Sequence, residues 1–322
     1  MTFQSKLSVQ MELFLQQKRA LGFSYIEGER ILHNFDKFCA NNYPSATTVT
    51  QEICNAWTIH RESERKGSAG YSQRLTVVRE FARFLLRSGI DAFVIPKGYS
   101  ATRKGKFIPH IFTDEELKLI FKVSDTLAPT HKYRTAHLAA PVMLRLLFAC
   151  GLRPQEVRLI KVSDINLETG VIKIIESKCR RDRLVVMDDS MKTLCAKYYE
   201  RIRLIFPKSE YFFPAENPTG VYAGNWLTRL LNRCLKKAGL IEFAGNKPRV
   251  YDFRHSFATK TLYRWLAENR DLSNCLPFLS AYMGHDRYDD TAYYIHLVPE
   301  FFSQSSGIDF NHFARLLPEV EF

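Results

Sequence analysis

Residues that can act together on a phosphodiester lie in four short segments of this chain. Arg153 lies in GLRPQEV and Lys178 in SKCRRDR. Arg254 lies in YDFRHSFAT, and His285 and Tyr294 share MGHDRYDDTAYYIH. A phosphodiester resists attack because its anionic oxygens repel nucleophiles and its alkoxide leaving group is poor. Three fixed cations, an imidazole and a phenol can neutralise the oxygens, supply a nucleophile and assist the leaving group without a metal ion.

The order and spacing of these segments resemble one enzyme family. Tyr294 follows His285 by nine residues, and Glu156 follows Arg153 by three. Together they resemble the tyrosine recombinases, the phage-integrase-like site-specific DNA recombinases, over about residues 109–298. A segment such as GLR or RH alone occurs by chance, whereas five positions in the family's order are a strong joint signal.

The resemblance implies a role for each side chain. Arg153 and Arg254 would hold the phosphate, because a guanidinium stays protonated and its planar fork of donors matches two phosphate oxygens. Tyr294 would attack and form a 3′-phosphotyrosine, which keeps the bond energy for rejoining without ATP. Lys178 would protonate the departing 5′-oxygen. His285 would hydrogen-bond the phosphate or the developing charge.

Tyr251 is a departure from the family's pattern. It lies three residues before Arg254, where most relatives carry His. A phenol can donate a hydrogen bond to a phosphate oxygen but is not a base near neutral pH. Tyr251 therefore stays among the catalytic candidates. The deprotonation of Tyr294 is assigned either to another group or to the cations with water.

Several neighbouring residues have a structural interpretation instead. Tyr293 is adjacent to Tyr294, but the register from His285 favours Tyr294 as the nucleophile. Glu156 is predicted to orient Arg153, and we interpret His255 and His296 as structural histidines. The aspartates near His285 are typical of a solvated loop, and the seven cysteines form no zinc-type pattern. We therefore expect no metal and no cofactor.

Two basic clusters are candidates for DNA contacts. In a glycine-containing segment without periodicity, residues 96–109, the candidates are Arg103, Lys104 and Lys106. An unstructured basic linker gains phosphate contacts as it orders on DNA; the alternative is a solvated tether. Around Lys178 the candidates are Arg180, Arg181 and Arg183, with a solvated basic turn as the alternative.

The elements that must position these residues are mainly helical. Apolar residues recur at helical spacing from residue 5 to about 93, which predicts an N-terminal bundle of four or five helices. Thr113 with Glu116 predicts a capping box, and the residues flanking Lys178 predict a β-hairpin. The fold class is therefore mainly α with a small antiparallel sheet. The resemblance implies a core-binding (SAM-like) DNA-binding domain at 1–95, a basic linker at 96–109 and a catalytic domain at 110–322, with an exchange segment at about 300–322.

Composition agrees with a DNA partner. The formal charge is +12 over 322 residues and the sequence pI is about 9.3, which suits a polyanion. The first residues, MTFQSKLSVQ, lack the features of a secretory signal, and the longest apolar run is too short to span a bilayer. We expect a cytoplasmic, nucleoid-associated protein with no membrane partner.

The resemblance implies an enzyme that acts on double-stranded DNA with specific recombination sites. It implies a homotetramer on paired sites, a monomer or dimer off DNA, and accessory DNA-bending proteins as further partners. Two alternatives stay open: a type IB topoisomerase-like nicking and closing enzyme, and a catalytically silent DNA-binding protein. Covalent trapping on a nicked substrate separates an enzyme from a binder.

Overall fold

The computed structural model describes residues 2–59, 69–96, 98, 108–130, 133–175, 182–217, 219–243, 246–285, 287 and 289–297. The chain divides into two compact units, residues 1–107 and 108–322. The predicted linker lies almost wholly outside the described residues. No helix in the described ranges is long and apolar enough to cross a membrane.

The first unit is built from four described helices: α1 (Ser8–Ala20), α2 (Ile26–Asn42), α3 (Gln51–Thr58) and α4 (Ala69–Arg87). Their apolar stripes face one core, in which Phe14, Phe35, Trp57 and Phe81 are almost fully buried. The Thr50 hydroxyl accepts a hydrogen bond from the Ile53 amide and caps α3. A periodic apolar face together with a polar cap therefore fixes α3 locally.

The second unit carries eight described α-helices and a small sheet. The helices are α5 (Asp114–Asp125), α6 (Ala136–Ala149), α7 (Pro154–Leu159), α8 (Asp189–Ile205), α9 (Trp226–Lys237), α10 (Asp252–Ala267), α11 (Leu272–Met283) and α12 (Asp289–Ala292). A short 3-10 helix, Tyr293–His296, follows α12 directly. The capping box of Thr113 and Glu116 at the start of α5 is confirmed.

The sheet is antiparallel, in the order β1 (Ile165–Asn166), β2 (Val171–Ile174) and β3 (Arg183–Val186). Val171 pairs with Val186 and Ile174 with Arg183. The mainly α fold class with one small antiparallel sheet is confirmed. The connection between β2 and β3, where Lys178 was predicted near the tip, lies outside the described residues except at its ends.

Helix α6 is the centre of the second unit, where it packs against α5, α8 and α10. It is apolar on nearly all sides, and Met143, Leu144 and Leu147 are fully buried. Gly151 follows it with a φ of +58°, and a Cβ there would lie 2.4 Å from the Phe257 ring. The backbone can therefore turn against α10 only with glycine at this position.

We predict that Gly151→Ala lowers the free energy of unfolding by about 2–5 kcal/mol. The alanine would have to adopt a left-handed backbone conformation, and its Cβ would clash with the Phe257 ring. Gly239→Ala is the matched control. Gly239 has a φ of +74° but open space around its missing Cβ, so only the backbone cost of about 1–2 kcal/mol applies. Urea-unfolding midpoints of the two variants measure the difference, and equal shifts would contradict it.

Candidate active site

The C-terminal end of α11 gathers three arginines. The last carbonyls of a helix lack partners within the helix and carry partial negative charge. Gly284 ends α11 in the left-handed region, at φ +63°. Three successive carbonyls then accept hydrogen bonds from guanidiniums: Tyr282 from Arg183 Nε at 2.8 Å, Met283 from Arg254 Nη2, and Gly284 from Arg153 Nη2 at 2.6 Å.

Glu156 joins two of these arginines. Its Oε1 lies 2.8 Å from Arg153 Nη1 and 2.9 Å from Arg183 Nη1, and its Oε2 lies 2.7 Å from Arg183 Nη2. Oε2 also accepts the Arg153 amide at 2.8 Å. Burial opposes ionisation of Glu156, but the guanidinium of Arg183 and the contacts from Arg153 hold its pKa below the ordinary value. The carboxylate orients Arg153, as the sequence suggested, and binds Arg183 as well.

The prediction that Arg183 contacts DNA needs correction. Its side chain is 6% exposed, and its guanidinium bonds to both oxygens of Glu156 and to the Tyr282 carbonyl. Its guanidinium therefore binds groups inside the protein rather than DNA. The alternation of side chains along β3 indicates that Arg183 is buried, because it shares a face with the buried Val185, while Leu184 points outward.

Arg254 is completely buried on α10. Its Nη1 donates to the Gly151 carbonyl at 2.6 Å and its Nη2 to Met283. Its Nε has no hydrogen-bond partner among the described residues. Burial, and then the charge of Arg153, lower its pKa to about 10, so the group stays cationic at neutral pH. A buried cation with an unused donor is suited to an incoming anion.

His285 lies directly after the end of α11, beside these cations. Its Nδ1 is 2.7 Å from the Thr291 hydroxyl, which fixes the ring. Burial, and then the charges of Arg254 and Arg153, lower its pKa to about 3. The imidazole is therefore neutral near pH 7, and Nε2 is left for a further hydrogen bond.

Tyr294 lies in the 3-10 helix after α12 and is 2% exposed. It belongs to a small apolar cluster with Leu262 of α10 and Leu279 of α11. Burial raises its pKa, while the charge of Arg254 acts in the opposite direction. Its ring lies 6.0 Å from the His285 ring. The adjacent Tyr293 packs against the same cluster.

Tyr294 contacts a histidine that we had interpreted as structural. His255 Nδ1 lies 3.1 Å from the Tyr294 hydroxyl. Burial, then Arg249 and Arg254, lower the pKa of His255 to about 4. Tyr251 precedes His255 by four residues and its ring lies 5.4 Å from the His255 ring. Residues four apart lie on one helix face. The spacing of Tyr251 and His255 was therefore the sequence feature that could have placed His255 beside the site.

Tyr251 itself is 38% exposed at the start of α10. Its phenol lies near enough to Arg153 to interact with the guanidinium. Both line an open cavity of about 520 Å³ together with Lys173 and Ile175 of the segment leading toward Lys178. Arg153, Tyr251, Arg254, His285 and Tyr294 are thus brought into one region.

The other candidates lie outside the described residues. These are Lys178, Arg180 and Arg181 around the hairpin and Arg103, Lys104 and Lys106 in the linker. Their roles stay predictions. Within the described residues, no three His, Cys, Asp or Glu side chains could hold a metal ion together.

Comparison with known proteins places this geometry in context. Residues 110–300 match the phage integrase family model, which covers more than half of the chain. A Sinorhizobium fredii protein named integrase/recombinase y4rB is 29% identical over 301 residues, covering 91% of this chain and 93% of that protein. Tyrosine recombinase XerC of Vibrio cholerae is 24% identical and covers 84% of this chain and 78% of its own length.

Solved structures share the fold. XerH site-specific recombinase, bound to its palindromic difH substrate, aligns with a TM-score of 0.62 at 16% identity, over 93% of this chain and 84% of XerH. The Tn1549 transposon integrase, in complex with transposon right end DNA, aligns with a TM-score of 0.63 at 12% identity, over 95% and 97%. The resemblance seen in the sequence is confirmed.

We predict that Glu156→Gln lowers the free energy of unfolding by about 3–5 kcal/mol, because it leaves two buried guanidiniums without their carboxylate. The control is Asp125→Asn, which breaks the more exposed bidentate pair with Arg145 and should cost at most about 1 kcal/mol. Urea unfolding measures both. A Glu156→Gln variant no less stable than Asp125→Asn would contradict the shared-carboxylate interpretation.

Proposed function

The chain belongs to the phage integrase family, the tyrosine recombinases, which are DNA strand-transferring enzymes, and we propose that it recombines DNA at specific sites through a 3′-phosphotyrosine intermediate. Tyr294 attacks the scissile phosphorus and releases a 5′-hydroxyl. The covalent bond conserves the energy of the broken phosphodiester, so rejoining needs no ATP. The cleavage step needs no metal, because guanidiniums supply the positive charge.

The observation that carries this proposal is the convergence of Arg153, Arg254 and His285 on the end of α11, beside Tyr294. Preorganised donors of this kind contribute about 3–4 kcal/mol each to lowering such a barrier. Arg153 and Arg254 neutralise the non-bridging oxygens, and His285 Nε2 hydrogen-bonds one of them. Tyr251 donates a further hydrogen bond from beside Arg153.

The phosphate enters through the open cavity lined by Arg153 and Tyr251. Arg254 is fully covered and Tyr294 is nearly so in the free protein, so both become accessible only when neighbouring groups move as DNA binds. Lys178, on the connection that follows the cavity wall, then protonates the 5′-oxygen. The remaining basic candidates, Arg103, Lys104, Lys106, Arg180 and Arg181, contact phosphates outside the site.

The partner is double-stranded DNA with an inverted-repeat site, bound by four protomers on two duplexes. Residues 1–95 supply a second DNA-binding domain, and the reaction takes place in the cytoplasm. The exchange segment, about 300–322, docks on a neighbouring protomer. We assign its docking site to an apolar groove of about 670 Å³ on the catalytic domain, which includes Phe257, Trp265 and a 75% exposed Phe278.

We predict that Tyr294→Phe abolishes covalent attachment to DNA and leaves binding intact, because it removes one oxygen and little packing. The test uses the duplex that the protein selects from a randomised library, prepared with a nick at successive positions to trap the covalent complex. Tyr293→Phe is the matched control and should retain attachment. EDTA should not prevent trapping. Attachment by Tyr294→Phe but not by Tyr293→Phe would show that the register is wrong.

We predict that deleting residues 306–322 weakens assembly on paired sites more than binding to one half-site. The segment contains Phe310, Phe313, Leu316 and Leu317, whose spacing would place them on one face of a short helix. Such a helix would need a groove to bury that face. Phe278→Ser in the groove should have the same effect, whereas Leu204→Ser, at an 86% exposed position outside the groove, should have none. Gel-shift titrations of both DNA species measure this, and equal loss of both would refute exchange.

A further inference from the structure

The hydroxyl of Tyr294 has one hydrogen-bonding neighbour among the described residues, Nδ1 of His255 at 3.1 Å. From this geometry we propose that His255 is the general base that takes the proton of Tyr294 during attack. The inference rests on the proposed strand cleavage by Tyr294. It fills the base role that Tyr251 cannot perform, because a phenol does not accept a proton near neutral pH.

The hydrogen bond to Tyr294 favours the tautomer of His255 that can accept a proton at Nδ1. A phenol hydroxyl is both a donor and an acceptor, and a buried donor requires an acceptor. Since Tyr294 is 2% exposed, its proton has only Nδ1 of His255 to go to within the described part of the chain. If Nδ1 carried the hydrogen instead, the phenol proton would be left without a partner. His255 is therefore neutral, with its hydrogen on Nε2.

Other groups near Tyr294 are less well placed. His285 holds Thr291 through Nδ1, and its ring lies nearly parallel to the Tyr294 ring, with an interplanar angle of 21°. Asp290 is exposed and acts on Tyr294 only through its charge. Neither has a hydrogen bond to the hydroxyl.

The surroundings of His255 connect its basicity to the substrate. The charged and titratable groups that face it are Arg249, Arg254, Tyr251, Tyr294 and His285. In the free protein, burial and the two arginines lower the pKa of His255 to about 4. An anionic phosphate on Arg254 offsets that positive charge and raises the pKa toward the working pH. The base therefore becomes effective when DNA is bound, which limits phenolate formation without substrate.

Over a full cycle of cleavage and rejoining, each proton returns to the group that gave it. Oη of Tyr294 bonds to phosphorus as its proton moves to His255 Nδ1, and the bond to the 5′-oxygen breaks as Lys178 donates a proton to it. In rejoining, the 5′-hydroxyl returns its proton to Lys178 and attacks the phosphotyrosine. The His255 imidazolium then returns its proton to the leaving oxygen of Tyr294.

The test is His255→Asn, which keeps a polar atom near the Nδ1 position but cannot accept a proton. Cleavage of the nicked selected duplex should slow by about 100-fold or more, with unchanged half-site binding. His137→Asn, at a half-buried position on α6, is the matched control and should cleave normally. The wild-type rate should fall as the pH drops through the pKa of DNA-bound His255, and this acidic limb should vanish in His255→Asn. Cleavage at the wild-type rate with an unchanged acidic limb would overturn the proposal.

Two further measurements separate a base from a structural role. Imidazole added to His255→Gly should restore part of the cleavage rate, and no rescue in a variant that still binds the half-site would overturn the proposal. A substrate with a bridging 5′-sulfur should rescue Lys178→Ala but not His255→Asn, because a thiolate leaves without a proton. Rescue of His255→Asn would place His255 at the leaving oxygen instead. If the wild-type protein forms no covalent complex at all, the proposed function fails and not this inference alone.

Discussion

The C-terminal end of α11 is the constraint on which the candidate site depends. Its last three carbonyls would otherwise lack partners, and guanidiniums from three separate parts of the second unit satisfy them. Each arginine reaches this end from a different element: Arg153 from the start of α7, Arg183 from β3 and Arg254 from α10. One helix end therefore fixes the relative positions of groups that are as much as 101 residues apart in sequence (254 − 153).

This arrangement places concentrated positive charge in a buried region, and the neighbouring groups respond. Glu156 offsets part of that charge and remains ionised. His255 and His285 are instead held neutral, because burial, and then the charges of nearby arginines, lower the pKa of both imidazoles. Cationic arginines next to neutral imidazoles give the site fixed charge for an anion and hydrogen-bonding nitrogens at the same pH. The phosphate of the proposed DNA substrate would use both.

The same burial restrains Tyr294, the proposed nucleophile. Tyr294 is enclosed by apolar side chains of α10 and α11, and its raised pKa opposes a phenolate in the free protein. Among the described residues the Nε of Arg254 has no hydrogen-bond partner, so a bound anion would supply the acceptor that this buried donor lacks. Under the proposed function, substrate binding is thus coupled to activation of the site through electrostatics.

The sequence alone determined the features that depend on neighbouring residues. Helical periodicity, the cap at Thr113 and the hairpin of β2 and β3 are local, so they could be predicted. The family could be predicted from the order of Arg153, Lys178, Arg254, His285 and Tyr294. Only the tertiary structure decided which polar side chains turn inward. It paired Arg183 with Glu156 inside the protein and set His255 against Tyr294, because burial and partner choice depend on elements distant in sequence, whose packing no local pattern specifies.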